Sequence, residues 1–583
     1  MCDIGPKQSD PAMVKITETH SSRIQDDGKV QTEQPKTFTH SWRVWCVFIV
    51  LCLLSFISAV DATIVTTSLP TITREIGGAE LYVWIANSFV FASTVPQPLY
   101  GQIANIFGRK NPILVAISLF ALGSGLAGGA RNPSMLIAAR TIQGVGSAGL
   151  YVLSDIIICD IVPPRHRASY LSAVLSMAAI GTTIGPIIGG ALAQVEWRWI
   201  FWLNLPISGV GLIAILFLLN VKYTRSPTWM HALKRVDFLG NLIFIPSMVA
   251  IFLGLIMGGV QYPWGSWHII LPIILGVAGW IVFHFHQASH FCKEPSTPPR
   301  LFNHRTTTAG FLIIFLGAII MQAVSYFLPV YFQAVKSTSP LTSGINFLPF
   351  ALAIIPFGGL TGAFMSKFGR YIPLHFLGFV MCAVGTGLLS LLDEYTSKAA
   401  WAGYQIIVSG GVGIIFTATM PSTLASLPES DIAVATGTYS FVRSFGLVWG
   451  VTMASIIFNN EFDRYLPDTI PFDIRARFGN GAAYSLASGG VISSLEPMLK
   501  KDIVGTYVCA LRILWLVIAA IGCLGFLCVF IEQHVELKTE NGTEFGLIDK
   551  AKESDVEIVE GLVEETRQQK EKSVTATSST QVN

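Results

Sequence analysis

The chain has 583 residues, of which 52% are hydrophobic and 13% charged, with a formal net charge of +2 and a mean hydropathy of +0.57. An average soluble domain is roughly 25% charged, so this chain has more apolar surface than a water-soluble core could hide, and its solvent is the bilayer. The near-neutral charge offers no concentrated basic face for phosphates, which excludes nucleic acid as a partner.

The first 42 residues are polar and mixed in charge, with no short apolar core followed by a cleavage site. They are expected to stay in the cytosol as a disordered tail, with the first span as an uncleaved insertion signal. A helix needs about 20 mostly apolar residues to cross a bilayer. Such stretches occur at 44–66, 82–104, 112–130, 134–158, 169–194, 199–220 and 238–259, then at 268–287, 308–332, 343–365, 374–392, 402–425, 433–457 and 507–531. The pattern predicts an all-α polytopic membrane protein of about 14 transmembrane helices. Beyond Ile531 the chain is acidic and then rich in Ser and Thr, which reads as a disordered tail over 532–583. Asn541 opens a glycosylation pattern, which a cytosolic tail would never present to the enzyme.

A short phrase is written twice and sets the architecture. Gly101-Gln-Ile-Ala-Asn105-Ile-Phe-Gly108-Arg109, followed by Lys110, recurs as Gly362-Ala-Phe-Met-Ser366-Lys-Phe-Gly369-Arg370. Each copy ends the second span of a run of six, as expected of a transporter built from repeats. The reading is a first half over 43–220, a loop and two inserted spans over 221–290, and a second half over 291–531 with a long external loop at 459–506. Short-loop Lys and Arg, including Arg109, Lys110, Arg165, Lys367 and Arg370, fall on one side with both tails, which makes that side cytosolic by the positive-inside rule. Lys500 and Lys501 lie in the long external loop and are a mild exception. The nine cysteines fall in spans or on the reducing side, so neither a disulfide nor a metal site is expected.

Ionisable groups inside a span are expensive and therefore functional candidates. Asp61 lies in span 1, three residues after Ser58, and a carboxylate held out of water can take up a proton near neutrality; the alternative is a structural carboxylate held by an Arg. Arg140 in span 4 shares a helical stripe with Gln143, Ser147, Tyr151 and Ser154, which lines a water-filled cavity or serves as polar glue between helices. Arg443 in span 13, with Thr436 and Ser440 on its face, would bind an anionic group, gate against a carboxylate or be structural. Asp155 and Asp160 would meet the turn Arg109-Lys110 as a charge latch; the alternative, stronger for Asp160, is interfacial solvation. In span 5, Gly181, Gly185 and Gly189, with Gly190 beside them, suit close helix packing, and Pro186 supplies a bend point. His284 and His286 point to different sides of span 8 and read, with His290, as interfacial. No nucleotide-binding loop or nucleophile motif is present, so no enzyme and no cofactor is expected.

These residues resemble the major facilitator superfamily, and within it the fourteen-helix drug:proton antiporters, especially fungal toxin and multidrug efflux pumps. The resemblance covers most of 43–531. It rests on Asp61 to Pro70, Gly101 to Lys110, Arg140-Thr-Ile-Gln143-Gly144-Val-Gly146, Gly181 to Gly190, and Trp197 to Pro206 with Asn204 inside it. It implies two six-helix halves plus an inserted pair, proton-coupled export of hydrophobic or amphipathic small molecules such as drugs, toxins or fungal metabolites, and proton coupling at Arg140. It also implies a monomer. The plasma membrane is the expected location, with a vacuolar or vesicle membrane as the alternative because no sorting signal is legible. Asn105 stands where the family's loop motif has an acidic residue, and Ser366 is likewise uncharged, so the latch would be weaker or rebuilt through Asp155 or Asp160. Rival readings are a siderophore-type importer and a non-transporting membrane sensor.

Overall fold

The computed structural model describes residues 42–77, 81–220, 228–259, 261–467 and 494–538, with scattered positions between 468 and 493. The expectations for residues 1–41 and 539–583, Asn541 included, lie outside the described residues. Among the described residues the long elements are all helical. The first half contains α1 (Trp42–Ile76), α2 (Tyr82–Thr94), α3 (Gln97–Phe107), α4 (Lys110–Gly128), α5 (Pro133–Ile161), α6 (Arg167–Val195), α7 (Trp199–Trp202) and α8 (Asn204–Leu218). A short α9 (Trp229–Arg235) leads to the inserted pair α10 (Phe238–Met257) and α11 (Trp267–Ala288). The second half contains α12 (Arg305–Val330), α13 (Pro340–Phe368), α14 (Ile372–Leu389), α15 (Lys398–Leu424), α16 (Ile432–Tyr465) and α17 (Pro497–Val529).

Among the described residues thirteen helical stretches are long and apolar enough to cross a membrane, one of them formed by α7 and α8 together. The remaining crossing is the pair α2–α3, interrupted at Val95 and Pro96. Pro96 and Pro98 have no N–H, so two consecutive-turn hydrogen bonds are lost and the helix kinks without ending. Flanking bonds survive: Val95 N–H reaches the Phe91 carbonyl at 3.0 Å and Tyr100 N–H the Pro96 carbonyl at 3.2 Å. Elsewhere the starts follow ordinary cap chemistry. Asn132 accepts from Met135 N–H ahead of Pro133, and Ser339 from Thr342 N–H ahead of Pro340. Gly108 and Gly369 close α3 and α13 at φ +76° and +66°, where a side chain would be strained.

Two expected boundaries change. The external loop expected at 459–506 is shorter, because α16 runs on to Tyr465 and α17 begins at Pro497; both extensions carry apolar faces, with Phe462 and Ile503 in the core. The C-terminal segment is not disordered from 532 onward. Residues 532–538 pack against the second half, with the buried Glu532 bonded to His375 Nδ1 at 2.7 Å and Leu537 in an apolar cluster with Tyr371 and Leu374.

The second half packs around its own apolar core. The first-half core also takes in Ile432, Ala433, Ala435 and Tyr439 of α16, so the halves share apolar packing at the end that carries Arg109. The inserted pair docks through Phe244, Met248 and Phe252 onto Phe91 of α2 and Phe441 of α16, while α11 stays mostly exposed for lipid.

Candidate functional site

Helix α1 crosses α6 closely because α6 is glycine-rich. A Cβ on Gly181 would sit 2.6 Å from the Phe56 carbonyl, and Gly185 and Gly189 meet the backbone at Val60 and Ile64 just as tightly. Gly190 faces open space instead. Pro186 leaves the Thr182 carbonyl without its intrahelical donor, and Thr63 Oγ1 of α1 donates to it at 3.3 Å. Thr67 Oγ1 likewise donates to the Pro186 carbonyl at 3.0 Å. This seam fixes the rotation of α1 and with it the direction of Asp61.

Asp61 is fully buried and fully engaged. Its Oδ2 pairs with Arg140 Nη1. Its Oδ1 accepts from Gln143 Nε2 at 2.9 Å and from Asn204 Nδ2 at 2.8 Å. Gln143 Oε1 accepts from Arg140 Nη1 at 2.9 Å, and Ser124 Oγ accepts from Gln143 at 2.8 Å and Asn204 at 3.2 Å. The Arg140 guanidinium lies 4.3 Å from the Phe89 ring centre, a cation–π contact of about 1–2 kcal/mol when desolvated. Four helices, α1, α4, α5 and α8, thus converge on one carboxylate. The polar stripe of α5 continues with Ser147, whose Oγ bonds Ser58 Oγ, and with Tyr151, within hydrogen-bonding reach of Ser58. In this state the stripe is a buried seam and not a wall of open water: Arg140, Gln143, Ser147 and Ser154 are all buried.

One turn further along α5 the stripe meets the second half. Asp155 faces Arg443 of α16, Oδ2 to Nη2, at 3.9 Å. Asp155 therefore does not reach the turn at Arg109, which corrects one half of the expected latch. Asp160 does: Arg109 Nε donates to its Oδ2 at 2.7 Å and Arg109 Nη1 to the Ala104 carbonyl at 3.0 Å. Asp160 is 2% exposed, which sets aside interfacial solvation. Lys110 turns away to Asn220 Oδ1 at 3.0 Å. Around Arg443, the hydroxyls of Ser154, Thr436, Tyr439 and Ser440 are buried without a hydrogen-bond partner among the described residues.

The two copies of the repeated phrase make equivalent crossings between the halves. A Cβ on Gly101 of α3 would lie 2.7 Å from the Ala433 carbonyl of α16; a Cβ on Gly362 of α13 would lie 2.7 Å from Ser169 Cα of α6. Asn105 Nδ2 donates to the Ser430 carbonyl at 3.0 Å. Arg165 Nε and Nη2 donate to the Ser366 and Lys367 carbonyls at 2.8 and 2.6 Å, the last turn of α13, and His166 Nδ1 pairs with Ser366 Oγ at 2.5 Å. Arg370 is exposed. This end of the molecule is closed.

The sequence profile of the Major Facilitator Superfamily matches residues 51–451. The chain belongs to that superfamily. Among curated relatives it is similar to the MFS efflux transporter aclA of Aspergillus oryzae, 46% identical over 89% of this chain and 94% of the relative. It is also similar to the MFS-type efflux pump LUC4 of a Fusarium species, 39% identical over 94% and 98%. The human organic anion transporter MFSD10 superposes with a TM-score of 0.53 at 15% identity, over 83% of this chain and 99% of that one, and supports the fold alone. This superfamily member is a multi-pass membrane transporter of small molecules and not an enzyme.

Asp61, Arg140 and Gln143 are legible as candidates in the sequence, whereas their partner Ser124 is not and Asn204 stands out only as part of a longer phrase. A lone Ser or Asn in an apolar span carries no periodic signal, and only the helix crossing shows what it faces. Arg165, by sequence only a loop cation that sets topology, is an inter-half contact in the structure. His286 is more than interfacial: its Nε2 lies 3.0 Å from Asp237 Oδ1, the cap of α10. Outside the spans, burial acts to raise the Asp237 carboxyl, but hydrogen bonds from His286, Gly240, Gln287 and Cys292 outweigh it and hold it below the ordinary range. Burial, with Asp237 beside it, pushes the Cys292 thiol up to about 12.

Proposed function

We propose that this transporter exports hydrophobic or amphipathic small molecules in exchange for protons, by alternating access, with Asp61 as the proton carrier. The observation that carries the reading is the buried Asp61 carboxylate, which is the counter-charge of Arg140 and also accepts from Gln143 and Asn204. A proton on Asp61 removes the counter-charge of a buried guanidinium, and breaking one partner of a buried pair costs about 3–5 kcal/mol. The network must then rearrange, which couples proton arrival to movement of α5 against α1. The names of the fungal relatives, efflux transporter and efflux pump, support the outward direction of substrate.

Substrate would bind near the midplane between the halves, beside Tyr151, Asp155, Tyr439 and Arg443. The closed end, rich in Lys and Arg, faces the cytosol in this reading, with both termini on that side and the plasma membrane as location. Opening it requires the Gly101 and Gly362 crossings to part and the Arg165 contacts to break, a rocking of one half on the other.

The test is substrate-driven proton flux in proteoliposomes under an imposed pH gradient, comparing the wild type with Asp61→Asn at equal membrane abundance. Export coupled to opposite proton movement, abolished by the substitution, is the expected result. Normal coupled transport by Asp61→Asn removes Asp61 from the coupling role, and substrate movement without proton flux removes the antiport reading.

A further inference from the structure

Where the inserted pair α10–α11 leaves the membrane on the basic side, three side chains of different chemistry converge from three separate segments. Asp237 precedes and caps α10, His286 lies in the last turn of α11, and Cys292 lies in the loop beyond. One ligand-capable atom from each, a carboxylate oxygen, an imidazole nitrogen and a thiol sulfur, lie within 4.8 Å of one another, and the residues are partly buried.

Zinc and similar borderline ions take this mixture of O, N and S ligands at about 2.0–2.3 Å in a tetrahedron, which puts ligand atoms roughly 3.3–3.8 Å apart. The observed trio needs only small side-chain rotations to reach that spacing. Calcium and magnesium require six or more oxygen ligands, most of which this cluster lacks. An outer set of hydrogen bonds already orients the carboxylate: Gly240 N–H donates to Oδ1 at 2.8 Å and Gln287 Nε2 to Oδ2 at 2.5 Å. Gln287 is itself fixed, because its Oε1 accepts from Thr297 N–H at 3.1 Å. Such outer partners are characteristic of metal-ligating carboxylates.

We propose that Asp237, His286 and Cys292 bind one borderline divalent metal ion, of the Zn²⁺ class, that staples together the two ends of the inserted pair. A water completes the tetrahedron; binding releases the thiol proton to solvent and leaves the neutral His286 imidazole protonated at Nδ1, so that Nε2 is free to ligate. The staple also bears on α3, the helix of the repeated phrase. Asp237 N–H donates to Gln102 Oε1 at 3.4 Å, and Gln102 Nε2 donates to the Glu294 carbonyl in the loop that carries Cys292. An occupied site would hold this loop against α3 while the halves move.

The experiment uses the full chain, purified and stripped with chelator, then exposed to Zn²⁺ or Mg²⁺. Alkylation of Cys292 is followed by peptide mass spectrometry and thermal unfolding in parallel. Zn²⁺ is expected to slow alkylation at Cys292 at least about tenfold, because a thiolate held by the metal is withdrawn as a nucleophile, and to raise the unfolding midpoint. Mg²⁺ is expected to do neither. Cys292→Ser keeps a hydroxyl donor for Asp237, so it should unfold at the wild-type temperature without Zn²⁺ yet lose the Zn²⁺-induced rise. His286→Gln should lose most of the protection at Cys292. Absence of protection in the wild type, equal protection in His286→Gln, or equal protection by Mg²⁺ overturns the proposal and leaves the trio as a hydrogen-bonded cap.

Discussion

At the scale of residues, the carboxylates of α1 divide by environment. Asp61 has two accepting oxygens filled by Arg140, Gln143 and Asn204, in a place closed to water. Glu75, ten residues beyond the apolar stretch that ends at Val65, is about half-exposed. Hydrogen bonds from Arg198 at 2.7 Å and Trp197 at 2.8 Å hold its carboxyl below the ordinary range. A depressed carboxyl contributes stability that is present above its unfolded value, about 4.3, and is lost only as pH falls through the lower folded value. Glu75 therefore stays ionised through the range in which a carrier exchanges protons. Glu75→Gln is expected to give a transport–pH profile that superimposes on the wild type between about pH 5 and 8; a displaced midpoint would bring Glu75 into the proton path. Asp61 and Arg140 were legible in the sequence because a charge in an apolar run announces itself. Their partners Ser124 and Asn204 were not, because an uncharged polar side chain is tolerated in a span for many reasons.

Between elements, the contacts of Asn105 and Arg165 across the closed end go to neutral acceptors. Asn105 donates to a carbonyl at the start of α16, and Arg165 donates to two carbonyls at the end of α13. A cation at a helix C-terminus also meets the negative end of the helix dipole. Hydrogen bonds made by charged groups are worth about 1.5–3 kcal/mol when buried, and Arg165 is half-exposed, so about 1–2 kcal/mol is expected for the pair. Arg165→Ala should then shift the closed–open balance toward open by about tenfold. Hydrogen exchange of peptides from α3 and from the start of α16 reads this directly. Faster exchange in both, partly restored by Arg165→Lys, is the expected outcome, and unchanged exchange would take Arg165 out of the latch. The helices themselves were legible from apolar length, because a bilayer fixes how many residues a crossing needs. The kink between α2 and α3 was hidden inside one apolar run, since Pro96 and Pro98 break hydrogen bonds without interrupting hydropathy.

For the whole molecule, the segment after α17 decides how much of the tail belongs to the transporter. Tyr371 Oη donates to the Gln533 carbonyl and accepts from Val535 N–H, both at 2.8 Å, and Arg165 N–H reaches the Lys538 carbonyl at 3.2 Å. Ending the chain after Lys538 should leave flux and thermal stability unchanged. Ending it after Ile531 strips the buried His375 of Glu532, a loss of about 1–3 kcal/mol, and should lower the unfolding midpoint of the purified protein. Equal midpoints for the two truncations would show that residues 532–538 contribute nothing. The sequence by itself determined the membrane class, the number of crossings, the two halves with their inserted pair, and the charged residues of spans 1 and 4. Each of these is a local property, a matter of apolar length, of repetition, or of a charge out of place. Tertiary structure alone decided which partners those groups meet: Asp160 with Arg109 but Asp155 with Arg443, Asp237 with His286 and Cys292, and the segment after α17 with Tyr371. Such pairings join residues tens to hundreds of positions apart, and their geometry depends on how closely glycine-rich helices approach, which no short stretch of sequence encodes.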